Sequence, residues 1–178
     1  MNDMAPQTHS SLEAKYAHVR AQTVALCKDL SDADMTVQSM ADASPAKWHL
    51  AHTTWFFETL ILAPNTPGYR VFNEDFNFLF NSYYESVGER HARPNRGMIT
   101  RPSREEVLAY RAHVDAAMVD FLSNGISEDL SDLVVLGLNH EEQHQELLLT
   151  DILNMFAQNP ISPSFKATPV AAAQSEAS

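Results

Sequence analysis

Apolar positions recur along this chain at the three-and-four spacing of amphipathic helices. Leu12, Tyr16, Val19, Thr23, Leu26 and Leu30 give a first helix one mostly apolar face. A second helix opens at Ser44-Pro45, where serine can cap free amides and proline is tolerated in the first turn. Trp48, His52, Trp55, Thr59 and Leu62 share a face of it, and Ala63-Pro64 ends it. Residues 65–73 read as a loop, and the aromatic-rich 74–87, NEDFNFLFNSYYES, as a short helix. After a long loop from Gly88 to Pro102, the pair Ser103 and Glu106 forms a capping box. The helix it starts has the inward stripe Val107, Tyr110, Val114, Met118 and Phe121, and Asn124-Gly125 closes it. The last helix runs from about Glu128 to Gln158, with Leu133, Leu136, His140, His144, Leu148, Ile152 and Met155 along one face. No strand alternation and no internal repeat is evident. The pattern predicts an all-α protein, an antiparallel four-helix bundle over residues 11–158. A flexible stretch, 1–10, precedes it and a linker-like tail, 159–178, follows.

Composition narrows the setting. With 178 residues, 44% of them hydrophobic, the chain suffices for one domain with a sizeable core. A net charge of -11 sets it against phosphate backbones and anionic lipids, so neither nucleic acid nor a membrane is an expected partner. The first residues lack the basic and apolar regions of a secretory leader, and no apolar run approaches ~20 residues. The single cysteine, Cys27, excludes an internal disulfide and fits a reducing, cytoplasmic compartment. No partner that would activate Cys27 as a nucleophile is evident. The charge is uneven. Arg90, Arg93, Arg96, Arg101, Arg104 and Arg111 fall close together, opposed only by Glu105 and Glu106, and mark a cationic segment able to anchor a small anion.

Histidine carries the chemistry. His140 and His144 stand one helical turn apart, so both imidazoles leave the same face, as two neighbouring ligands of one metal ion require. A third inward histidine lies on the second helix, in Trp48-His-Leu-Ala-His52, and periodicity leaves open whether it is His49 or His52. Buried imidazoles are costly alone, whereas three that converge can share a divalent cation. His9, His18, His91 and His113 have no such setting. Glu141, Gln143 and Asp151 are candidates to orient the imidazoles from behind. The run His140-Glu-Glu-Gln-His144 also fits the short zinc-protease pattern with Glu141 as base. A protease of that kind needs a third ligand downstream, and no histidine follows His144.

Three long stretches carry a resemblance. Asp42-Ala-Ser-Pro-Ala-Lys-Trp-His-Leu-Ala-His-Thr-Thr-Trp-Phe-Phe-Glu58, Phe80-Asn-Ser-Tyr-Tyr-Glu-Ser-Val-Gly88 and Leu138-Asn-His-Glu-Glu-Gln-His-Gln-Glu-Leu-Leu-Leu-Thr-Asp151 resemble the amino-terminal, DinB-like domain of the ergothioneine-biosynthesis sulfoxide synthases, the EgtB family. The resemblance implies a DinB-like four-helix bundle with non-haem Fe(II) held by His52, His140 and His144. It implies Arg93 and Arg96, with Arg90 as a third, as holders of the carboxylates of a thiol substrate, cysteine or γ-glutamylcysteine. The implied reaction is O2-dependent C–S bond formation between that thiol and hercynine. Members of the family continue into a lectin-like domain that supplies much of the hercynine pocket, so a separate domain of that kind is an implied partner. Two other readings stand beside it: a metal-dependent thiol S-transferase using Zn or Ni without O2, and a bundle with no catalytic role.

Overall fold

In the computed structural model, residues 5–82 and 88–165 are described, with side chains from Leu12 onward. Four long helices build the fold: α1 (Ala5–Leu26), α2 (Ala46–Phe57), α5 (Arg104–Ser123) and α6 (Glu128–Ala157). Two short ones, α3 (Ala63–Asn65) and α4 (Asp75–Phe80), follow α2. A π-helical stretch, Glu58–Leu62, joins α2 to α3, so the helical run continues just past the predicted Ala63-Pro64 stop. No strand occurs among the described residues. Tyr83 to Val87, the end of the predicted aromatic helix, lie outside them.

The termini follow the local rules in one case and depart from them in another. Ser103 accepts from the Glu106 amide while Glu106 accepts from the Ser103 amide, the predicted capping box at the head of α5. Gly125 closes that helix at φ +75°, where a side chain would be strained. Ser44, by contrast, does not cap α2. Pro45 holds the cap position, and the Ser44 hydroxyl accepts instead from Arg96 at 2.8 Å.

α1 and α2 each pack on both α5 and α6. Pairing of Ser44 with Asp151 and of His52 with His140 runs α2 antiparallel to α6. Tyr16 with Asp115 and Leu30 with Arg104 run α1 antiparallel to α5. The other two neighbours, α1 with α6 and α2 with α5, are parallel, so the expected antiparallel arrangement holds for half of the pairs. Every residue of α2 is buried, because its neighbours enclose it on all sides.

α6 corrects the predicted stripe. Its buried residues are Val134, Gly137, Leu138, Glu141, Leu148, Ile152 and Phe156, while Leu136 is 55% exposed. The predicted face lies to one side of the true core face, since the helix turns a charged residue inward. Glu141 is fully buried and accepts from Arg20 at 2.8 Å, from Arg111 and from Thr23. Arg20 also donates to Asp115 at 2.6 Å and to Thr54 at 3.0 Å. All four long helices therefore meet at one ionic cluster. One turn before it, Gly137 lets α2 close on α6: a Cβ there would meet the Phe56 ring at 2.7 Å and the Phe57 ring at 2.8 Å.

Burial alone would raise the Glu141 carboxyl, but Arg20 and Arg111 outweigh it and hold the group at about 2. A depressed carboxylate stabilises the fold above its unfolded value of ~4.3 and loses that contribution as pH falls through the folded one. Urea unfolding of the wild type is expected to weaken between roughly pH 5 and pH 2, with about 3 kcal/mol of the decline due to this group. Glu141→Gln should flatten that limb. Glu141→Ala, which strands two buried guanidiniums, should cost ~3–5 kcal/mol at pH 7.

Candidate metal centre

The α2–α6 contact that Gly137 permits continues one turn on into a cluster of imidazoles. One ring nitrogen from each of His52, His140 and His144 lies within 4.8 Å of the others. His52 Nε2 stands 3.3 Å from His140 Nε2. Two nitrogens bound at ~2.0–2.1 Å to neighbouring positions of one ion would lie ~3.0–3.4 Å apart, so the donor set fits a first-row divalent metal. Burial comes first in pushing all three histidines below their ordinary value, and their mutual proximity deepens it for His52 and His144. The imidazoles are therefore neutral at pH 7 and offer lone pairs.

His52 is fixed by its surroundings. Its Nδ1 lies 2.6 Å from the Phe80 carbonyl, which can only accept, so Nδ1 carries the proton and Nε2 is the lone pair. Its ring is sandwiched between Trp48, 4.5 Å away and near parallel, and Trp55, 5.6 Å away. Both indoles donate to the α4 segment, Trp48 to Leu79 O at 3.1 Å and Trp55 to Asn77 Oδ1 at 2.8 Å. Three aromatic side chains of α2 are thus anchored on one short helix. The predicted chemistry of residues 74–80 was only that of a helix; its use is to present acceptors.

His140 and His144 line a cavity of about 310 Å³, with His52 buried behind them, and its other lining includes Ser44, Ser82, Arg93 and Arg96. Arg96 is 5% exposed and lies flat on Trp48, 3.3 Å from the ring centre. Arg93 donates to Asp42 O, and Arg90, on the surface, donates to Ser82 O at the cavity's edge. Of the six clustered arginines, only Arg93 and Arg96 line the cavity. Arg111 belongs to the core ion cluster and Arg104 to the turn after α1, where it donates to Leu30 O. Both arginines of the cavity ride on a 3-10 turn, Arg93–Met98, that the long loop forms against the start of α2.

The three candidates to orient the imidazoles go to different places. Glu141 points away from the imidazoles into the Arg20–Arg111 cluster. Gln143 is exposed at the cavity rim. Asp151 reaches His49, not the cluster itself: its Oδ2 accepts from His49 Nε2 at 3.1 Å and from the Ser44 amide at 2.8 Å. His49 Nδ1 in turn lies 2.9 Å from His144 Nδ1. His18 and His113 are exposed on α1 and α5, away from the imidazole cluster.

With the fold and this geometry in place, comparison with known proteins fixes the family. The DinB superfamily profile matches residues 15–148, three quarters of the chain. The chain belongs to the DinB superfamily. It is also 27% identical over 159 residues to the hercynine oxygenase of Mycobacterium tuberculosis (strain ATCC 25618 / H37Rv). That alignment covers 89% of this DinB chain and 36% of the relative, so the chain spans about a third of the relative's length. No described helix is long and apolar enough to cross a membrane.

One positioning residue escaped sequence reasoning altogether. Gln38 donates to Ala43 O and Arg93 O, both at 2.8 Å, and accepts from the Gly97 amide at 2.7 Å. It clips the arginine-bearing turn to the segment before α2, and a Cβ on Gly97 would come within 2.8 Å of its own. Nothing periodic surrounds Gln38, so no pattern could single it out. Gln38→Ala should raise hydrogen exchange at the Gly97 amide at least ~10-fold while amides of α6 around Leu148 keep their protection. Unchanged exchange at Gly97 would show that the turn is held by other contacts.

Proposed function

We propose that this DinB chain binds non-haem Fe(II) through His52, His140 and His144 and takes part in O2-dependent C–S bond formation between a cysteine-type thiol and hercynine. The observation that carries the reading is the convergence of three neutral imidazoles, two of them (His140 and His144) lining a cavity that Arg93 and Arg96 also line. The likeness to a mycobacterial hercynine oxygenase supports the choice of reaction. When bound, Fe(II) would supply a seat for a thiolate sulfur and an electron source for O2.

The chain's own residues would do the rest. A thiol substrate such as cysteine or γ-glutamylcysteine brings carboxylates, which suit the planar donors of Arg93 and Arg96, with Arg90 at the entrance. Arg96 is held in place by Trp48 and Ser44, so an anion would meet a guanidinium that needs no reorganisation. Three uncharged ligands leave the metal's charge uncompensated and favour anionic sulfur there. Because the chain spans about a third of its relative, the hercynine site is proposed to be completed by a lectin-like domain, from a longer polypeptide or a separate one.

Metal analysis tests the ligand set. Wild type purified with Fe(II) under anaerobic conditions should hold close to one ion per chain. His140→Ala should lose more than the ~10–100-fold in affinity that outer-shell changes cause, with its helical circular dichroism retained. Equal metal content in the two would refute the assignment. Aerobic incubation with a thiol and hercynine, with and without a lectin-like domain, should yield a C–S product; turnover of thiol and an electrophile without O2 would assign a DinB thiol transferase instead.

A further inference from the structure

His49 sits between a carboxylate and the imidazole cluster, and its bonds dictate where protons lie. The Asp151 carboxylate accepts, so His49 Nε2, 3.1 Å away, must be the protonated nitrogen. That leaves the lone pair of His49 on Nδ1, which faces His144 Nδ1 at 2.9 Å. His144 Nδ1 must then donate, and its own lone pair falls on Nε2. Both His49 and Asp151 are shielded, with side chains 3% and 13% exposed, so water does not compete freely for these bonds.

We propose that Asp151 and His49 form a two-member relay that locks His144 as its Nδ1–H tautomer and so presents Nε2 to the metal. The proposal rests on the reading of His144 as a ligand and deepens it. His49 is a positioning residue in it, not a fourth ligand. Outer partners of metal-bound histidines usually act directly; here a second imidazole extends the reach of the carboxylate by one ring. The relay also has a structural tie to the anion side. Ser44 donates its amide to Asp151 and accepts from Arg96 on its hydroxyl, so one residue fixes the carboxylate and the guanidinium together. His52 reaches the same tautomer by another route, through the Phe80 carbonyl.

The decisive measurement needs no turnover. Long-range 1H–15N correlation spectra of 15N-histidine-labelled apo protein at pH 8 report which ring nitrogen of each histidine carries hydrogen. His144 should appear as Nδ1–H and His49 as Nε2–H. In Asp151→Ala and in His49→Phe, His144 should lose the single tautomer and show a mixture. Co(II) titration of the same proteins should give ~10–100-fold weaker binding in both variants, with an unchanged number of nitrogen ligands in the visible spectrum. His144 as Nε2–H in the wild-type apo protein would overturn the relay, as would a Co(II) spectrum that loses a ligand in His49→Phe. Should wild type bind no Co(II), the metal reading fails on its own account, and the tautomer spectra still decide the relay.

Discussion

Helix α6 turns one ridge toward α1 and α5 and another toward α2, and its rotation is set by a carboxylate buried between two guanidiniums. Glu141 faces α1 and α5, where Arg20 and Arg111 reach it. Residues one position apart on a helix point about 100° apart, so this contact directs His140, and His144 a turn later, toward α2. Gln145 reinforces the same setting by donating to Thr23 at 3.0 Å and Val19 O at 3.1 Å. A rotation of α6 that carried the histidines away would also pull Glu141 from its partners and leave a charge buried alone, a loss of several kcal/mol. The geometry of the imidazoles thus depends on an interaction made by a neighbouring ridge of the same helix.

Around that fixed helix the cavity is built by division of labour. α2 carries His52 between two indoles; α4 receives the polar edges of all three rings. The long loop brings cationic groups, and Trp48 links the sides by packing on His52 with one contact and on Arg96 with another. In a protein of net charge -11 the cavity combines neutral nitrogen donors with positive charge, a local inversion of the overall field.

Much of this was legible in the sequence, for identifiable reasons. Helices show as period, so the four long ones, the capping box at Ser103 and the turn at Gly125 could be read. The i, i+4 pair His140 and His144 was visible because both imidazoles sit on one helix. His52 over His49 was not decidable by spacing, since both face inward on a helix that is buried all round. Two misplacements have one origin: a charged residue turned inward cannot be seen as core. Glu141 read as an acid orienting the imidazoles, and the apolar stripe of α6 was drawn through Leu136, which is exposed. Likewise Arg111 counted toward the cationic segment though it is a core residue. Ser44 matched a cap by type, but Arg96 competes for its hydroxyl, and such long-range competition has no local signature.

The Glu141 cluster has a consequence for how this site acquires its occupant. Zinc fingers fold only when their ion arrives, so loading and folding are one event, and a chelator denatures them. Here the imidazoles are brought together by a contact that involves no metal ion, so the pocket exists before anything enters it. Such a pocket discriminates weakly among first-row ions, whose intrinsic order favours copper and zinc over iron. Which ion would settle there is then decided outside the molecule, by the ions that are exchangeable when the finished protein meets them.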